Sequence, residues 1–142
     1  MCVDKTHFVV DTSAWIEWAR RSHLGLRPIA DFPEMARCIM PTFVLCELTT
    51  WLQQSLPPGD HATLMTNIAA CESAELDLET VLSAEDFPLE RPGARMSDQI
   101  AFATARRRGV RLLTCNPLLE GLPQVIYWQP THGHVVMEAF AR

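Results

Sequence analysis

An α/β fold, a three-layer α/β/α sandwich around a mainly parallel central sheet, is what this 142-residue sequence predicts. Three observations carry the prediction. Short apolar runs of strand length close on a polar residue, as strands buried on both faces do. Between them lie segments whose apolar residues recur at helical spacing. The two kinds alternate along the chain, which favours strand–helix–strand units over a bundle or a meander.

Residues 7 to 10 read as the first strand, an apolar run closing on Asp11. Thr12 or Ser13 then caps a helix from Ala14, which Gly25 and Pro28 break. Residues 29 to 35 read as a short irregular or helical piece, and Cys38-Ile39-Met40 as a second strand stopped by Pro41. Pro41-Thr42 opens a helix in which Phe43, Val44, Leu45, Leu48, Trp51 and Leu52 keep helical spacing; Leu56-Pro57-Pro58-Gly59 ends it. Asp60 caps a further helix to about Cys71, and Glu75 to Leu78 form a third strand. Two prolines, a glycine and many charges over 79 to 96 read as a loop with a broken helix. Ser97 or Asp98 caps the helix Gln99 to Arg108, with Gly109 as its stop and Arg106, Arg107 and Arg108 in the last turn, where positive charge is favoured. Val110 to Thr114 and Val125 to Trp128 are the last strands.

No repeat or linker divides the chain, so residues 1–142 are read as one domain, long enough for a real core. Hydrophobic content of 48% with 20% charged residues excludes a disordered or fibrous chain. A net charge of -5 argues against a protein that coats nucleic acid non-specifically, though a carboxylate cluster serving a metal adds negative charge of its own. Five cysteines without a CxxC spacing suit free thiols in a reducing cytoplasm. The start of the chain is no signal peptide, with Asp4 and Lys5 early, and no apolar run reaches membrane-spanning length. A soluble, cytoplasmic protein is expected.

Four acid or amide residues suggest chemistry most plainly: Asp11, Glu47, Asp98 and Asn116. Asp11 and Asn116 follow strands, where the functional residues of parallel sheets gather. Asp98 opens a helix, and Glu47 lies one to two turns into another. Oxygen ligands of this kind suit a hard divalent cation, Mg²⁺ or Mn²⁺, and one or two such ions can drive in-line cleavage of a phosphodiester. Each residue also has a plainer reading. Asp11 is a helix cap or turn former, Asp98 an acid favoured by a helix dipole, and Asn116-Pro117 a turn pair. Glu47, among Leu45, Cys46 and Leu48, needs a partner if buried.

The motifs around these residues resemble the PIN-domain family, and within it the VapC-type toxin ribonucleases. They are Val9-Val10-Asp11-Thr12-Ser13-Ala14-Trp15-Ile16-Glu17, Pro41-Thr42-Phe43-Val44-Leu45-Cys46-Glu47-Leu48, Ser97-Asp98-Gln99-Ile100-Ala101 and Leu112-Leu113-Thr114-Cys115-Asn116. They span nearly the whole chain in order. The resemblance implies a PIN-like sandwich and a Mg²⁺- or Mn²⁺-dependent endoribonuclease acting on RNA. It also implies a cognate antitoxin protein and a homodimer. Asn116 departs from the family's usual aspartate and removes one anionic ligand.

On this reading Asp11 and Asp98 anchor the metal and Glu47 binds it directly or through water. Glu47 also accepts the water's proton, and Asn116 orients a ligand water. Thr12, Ser13 and Thr114 are supporting hydrogen-bond groups. The alternative is a catalytically weakened PIN-like module that binds protein or RNA. Glu17 reads as a solvated helix face. Arg20, Arg21 and Arg106 to Arg108 are candidates for RNA phosphates or an acidic antitoxin segment, with a solvated face as the plainer account. His132 and His134 read as part of a tail, and Trp51 as an interface residue.

Overall fold

The computed structural model describes residues 2–87 and 93–130. Five strands form one sheet: β1 (Asp4–Val10), β2 (Cys38–Pro41), β3 (Glu72–Ala74), β4 (Val110–Thr114) and β5 (Val125–Tyr127). Their order is β3-β2-β1-β4-β5, and every described pairing is parallel. Five α-helices connect them: α1 (Thr12–His23), α2 (Thr42–Ser55), α3 (Pro58–Ile68), α4 (Leu78–Ser83) and α5 (Met96–Arg108). The chain builds outward from β1 to β2 and β3, then crosses to the other side of β1 for β4 and β5. Right-handed crossovers in opposite directions put helices on both faces, giving the expected α/β/α sandwich. Among the described residues no helix is long and apolar enough to cross a membrane.

The strands at the centre are fixed by burial. Val9, Val10, Leu112 and Leu113 are all but inaccessible and pair in register, Val9 with Leu112 and Val10 with Leu113. Continuous apolar runs are what a two-sided burial requires. The core extends from these strands to Trp15 and Ile16 of α1 and to Leu48 and Leu52 of α2. Trp51 belongs to this core as well, so its indole is used within the chain and not offered at a surface.

Several element ends differ from the sequence reading. The third strand forms over Glu72–Ala74, before the expected residues 75 to 78. Only Ala74 of the three is buried; the strand exists because β2 offers a free edge, with Ile39 opposite Glu72 and Pro41 opposite Ala74. Helix α3 starts at Pro58, with proline in the first turn and Asp60 an acid near the helix N-terminus, not its cap. Residues 78 to 86 are helical, α4 running into a 3₁₀ turn over Ala84–Asp86, because Asp77 caps the start through Thr80 N at 2.8 Å. Helix α5 ends as expected at Gly109, whose φ of 65° is the left-handed conformation that glycine adopts without strain. His132 and His134 lie outside the described residues.

Candidate active site

The order reversal about β1 parts the connections that leave β1 and β4, and the crevice so made lies outside their carboxyl ends. Asp11 is the first residue after β1, and Asn116 follows β4 by two residues. Asp98 comes from the first turn of α5 and Glu47 from the second turn of α2. The fold thus brings all four sequence-predicted residues to one end of the sheet.

Asp11 is the N-cap of α1, a role the sequence reading assigned to Thr12 or Ser13. Its backbone amide donates to Leu113 O at 3.0 Å, tying the cap to β4. One carboxylate oxygen accepts from Ser13 Oγ at 2.7 Å and from Ala14 N at 3.1 Å; the other accepts from Thr114 Oγ1. Ser13 Oγ in turn accepts from Cys115 N at 3.0 Å, and Thr114 Oγ1 accepts from Asn116 N at 2.9 Å. The hydroxyls of Ser13 and Thr114 therefore fix both the carboxylate and the turn after β4. Burial pushes the Asp11 carboxyl up to about 6, against the opposing pull of Thr114, Ser13 and the Ala14 amide; the Asp98 charge pushes it further up.

Asp98 is only 3% exposed. It does not cap α5 itself; from the third position it accepts from Arg95 N at 2.9 Å, the residue that does. Burial raises its pKa, the Arg95 amide and guanidinium lower it, the Asn116 side chain lowers it, and Glu47 raises it. Glu47 accepts from Thr12 Oγ1 at 2.7 Å, which links α2 to the start of α1.

Asn116 is 1% exposed. Its Oδ1 accepts from Leu118 N at 3.0 Å and caps the 3₁₀ turn Pro117–Leu119. The amide oxygen is thereby engaged, and the buried Nδ2 has no hydrogen-bond acceptor. The side chain lies close enough to Asp98 to favour the aspartate's charged form without completing a hydrogen bond. Asn116 presents a donor to the cluster.

Two further residues enter that the sequence reading left aside. Arg95 stands 3.8 Å from Glu47 Oε2 through Nη1 and 3.8 Å from Asp98 Oδ1 through Nη2. It lies in the stretch read as loop, and its signal was its place three residues before an acid at a helix start. Glu17, read as solvated, is 1% exposed and pairs with Arg21 at 3.0 Å and Arg20 at 3.6 Å. Its signal was the four-residue spacing to Arg21 on the face that carries Ser13. Cys115 sits near both groups: burial pushes its thiol pKa up, and Asp11 and Glu17 add to the effect.

The arginines at the end of α5 are elsewhere. Ten residues of helix separate Arg108 from Asp98, about 15 Å of rise. Arg107 pairs with Glu79, Arg108 with Glu72 at 3.1 Å, and Arg106 lies over the Phe102 ring.

Among the described residues no group of three or more His, Cys, Asp or Glu side chains is drawn together closely enough to hold a metal ion as it stands. The chemistry of the donor set nevertheless fits a hard divalent cation. It is all oxygen, and among the described residues Asp11, Glu47 and Asp98 set three carboxylates against one guanidinium, which stands 3.8 Å from two of them. Buried like charges of this kind are costly without a cation.

Comparison with known proteins agrees with this architecture. The family model for the PIN domain matches residues 8–122. A toxin–antitoxin complex from Klebsiella pneumoniae superposes with a TM-score of 0.63 at 15% identity, covering 83% of this chain and 94% of that one. DNA-bound VapBC from Salmonella typhimurium gives 0.63 at 22% identity, covering 86% and 96%. VapC20 of Mycobacterium tuberculosis, a toxin that cleaves the sarcin-ricin loop, gives 0.58 at 16% identity, covering 76% and 87%. At these identities the likeness is one of fold. No curated protein matches the chain.

Proposed function

We propose that this chain, which belongs to the PIN domain family, is a Mg²⁺- or Mn²⁺-dependent endoribonuclease and the toxin of a type II toxin–antitoxin pair. One observation carries the reading: Asp11, which follows β1, and Asp98, in the first turn of α5, are both buried at one end of the sheet, where each feels the charge of a neighbouring carboxylate. Two folded neighbours are toxin–antitoxin or VapBC assemblies and a third is an RNA-cleaving toxin, which supports an antitoxin partner and an RNA substrate here. A homodimer is part of the same proposal and rests on the family alone.

Asp11 and Asp98 hold the cation, and Glu47 completes the set directly or through water. The bound cation supplies a water of lowered pKa and neutralises charge on the phosphate. Ser13, Thr114 and the Ala14 amide keep Asp11 in one orientation. Thr12 does the same for Glu47, whose side chain is 22% exposed, enough to accept a proton from a water in the crevice and release it to solvent. Asn116 Nδ2 is placed to donate to Asp98 or to a water acceptor, and does not serve as a ligand.

The test is incubation of total RNA and transfer RNA with antitoxin-free protein in Mg²⁺, in Mn²⁺ and in EDTA, beside Asp11→Asn. Discrete products that require metal and vanish in the variant are expected. Cleavage that survives both EDTA and Asp11→Asn would defeat the assignment. Asn116 favours a second reading, a binding module with weakened catalysis, because the fourth position brings no charge. Asp98→Asn separates the two: a catalytic toxin loses growth arrest together with cleavage, and a binding module keeps its effect.

A further inference from the structure

Cys38 opens β2, and Cys71 is the residue before β3. Ile39 faces Glu72 in the parallel ladder, so the two cysteines stand opposite each other one step before it begins. Neighbouring strands run about 4.8 Å apart, inside the roughly 4.4–6.8 Å that a disulfide spans between Cα atoms. Cys38 is buried and donates its thiol to Glu34 O at 3.4 Å, whereas Cys71 is partly exposed and donates to Met35 Sδ at 3.9 Å. Each thiol also alters the other. A hydrogen bond from Cys38 lowers the Cys71 pKa against the effect of burial; the same contact, burial and the Cys71 charge raise that of Cys38. The pair is thus divided into an accessible thiolate former and a buried thiol beside it, the arrangement of a peroxide-reactive cysteine with its resolving partner. Cys115 is differently placed, since burial, Asp11 and Glu17 hold its thiol protonated. The pair lies at the amino end of β2, away from the carboxylates at the other end of the sheet.

We infer that Cys71 and Cys38 are an oxidation site at which hydrogen peroxide closes a reversible disulfide between the starts of β2 and β3. The Cys71 thiolate attacks a peroxide oxygen; an S–O bond forms, the O–O bond breaks, and hydroxide leaves and takes up the proton that Cys71 released. The Cys38 sulfur then attacks the sulfur of the Cys71 sulfenic acid. An S–S bond forms, the S–O bond breaks, and the departing hydroxide leaves with the Cys38 proton as water. Two thiols are oxidised by two electrons, and one peroxide is reduced to two waters. The bond closes the chain segment 38–71, which carries α2 with Glu47, and α3. A closed loop restricts the unfolded chain, so the oxidised protein is the more stable. A dithiol reductant reopens the bond by exchange.

The test treats folded protein with graded hydrogen peroxide, quenches with iodoacetamide under denaturing conditions, and reads intact mass and a non-reducing peptide map. Wild type is expected to lose the alkylatable thiols of Cys38 and Cys71 together, to show the two linked within one monomer, and to regain both with dithiothreitol. Its oxidised form should unfold at a higher temperature than its reduced form. Cys38→Ser should accumulate a Cys71 sulfenic acid that dimedone traps, because no thiol resolves it; Cys38→Ala gives the same reading if serine unfolds the core. Cys71→Ser should form no internal bond and leave Cys38 reduced. Wild type that keeps Cys38 and Cys71 alkylatable while the exposed Cys2 and Cys46 are oxidised overturns the inference. An internal bond that joins Cys38 to a cysteine other than Cys71 overturns it as well. Neither result touches the ribonuclease reading.

Discussion

Two of the carboxylate–arginine groups in this molecule contain buried carboxylates, and their proportions are opposite. On α1, one buried carboxylate, Glu17, serves two guanidiniums, Arg20 and Arg21. At the carboxyl end of the sheet, one guanidinium, Arg95, serves Glu47 and Asp98, with Asp11 beyond them. The first group sets one negative charge against two positive ones. Among the described residues the second sets three negative charges against one positive, a difference equal to the charge of one divalent ion. Glu17 is as buried as Asp11 and Asp98, so burial alone does not mark a functional carboxylate. What distinguishes the second group is a buried negative excess held in place by hydroxyl and amide donors.

The largest effect that can break this comparison is on catalysis. Asp11→Asn keeps one oxygen to accept from Ser13 and the Ala14 amide, turns the oxygen that accepts from Thr114 into a donor, and removes one charge from the deficient group. RNA cleavage is expected to fall by at least about 10²-fold. Thermal unfolding in EDTA should show the variant close to wild type in stability, because the relief of like-charge repulsion with Asp98 offsets the lost acceptor for Thr114. Equal cleavage by wild type and variant would remove Asp11 from the site.

Next in size is the response of the group on α1. Glu17→Gln leaves two arginines without their carboxylate and is expected to destabilise the fold by about 2–3 kcal/mol. That is below the ~3–5 kcal/mol of a fully buried pair, since both arginines keep some solvent contact. Calorimetric Mn²⁺ affinity should stay within about twofold of wild type, since the change lies outside the deficient group. A large loss of Mn²⁺ affinity without unfolding would mean that the two groups act as one.

A smaller effect sharpens the comparison through pH. The Asp11 carboxyl is raised in the folded protein to about 6 from an ordinary 3.8, and Asp98 is raised as well. A raised acid favours its protonated form on folding, so its stability contribution is complete below the unfolded value and is lost as pH rises through the folded one. Metal-free protein should therefore unfold at lower temperature at pH 7.5 than at pH 5, and Asp11→Asn should flatten that slope. Saturating Mn²⁺ should reverse it by neutralising the same charges. At about a hundred times its Kd, the ion adds about 2.7 kcal/mol. A metal-free stability that rises steadily from pH 5 to 7.5 in wild type would contradict the charge imbalance.

The smallest expected change is Asn116→Asp. It preserves the oxygen that caps Pro117–Leu119, replaces Nδ2 with a charged oxygen and enlarges the negative excess. Mn²⁺ affinity should tighten by about tenfold, and the metal-free protein should lose roughly 1 kcal/mol. Calorimetry and thermal unfolding read the two together, and looser Mn²⁺ binding would show that the amide donor matters more than the missing charge.

The strands at the middle of the sheet were legible because Val9-Val10 and Leu112-Leu113 are apolar on both faces, a pattern few other environments require. The edge strand β3 was misplaced by three residues because Glu72-Ser73-Ala74 has no strand pattern of its own; backbone pairing to β2 creates it. Arg95 was missed for a related reason. It sits in a charged, proline-containing stretch where no periodicity separates a site residue from a loop residue.

By itself the sequence determined which residues end the central strands, where α5 stops at Gly109, and which four acid or amide positions are the candidate site. Those are local facts, set by side-chain burial patterns, glycine's freedom at positive φ and the chemistry of each group. Tertiary structure decided the charge balance around them. It buried Glu17 with two arginines, set Arg95 over Asp98, turned the Asn116 oxygen toward Leu118 and left its nitrogen facing the carboxylates. A charge acquires its neighbours only when distant segments meet, and its energy depends on those neighbours and on the water they exclude.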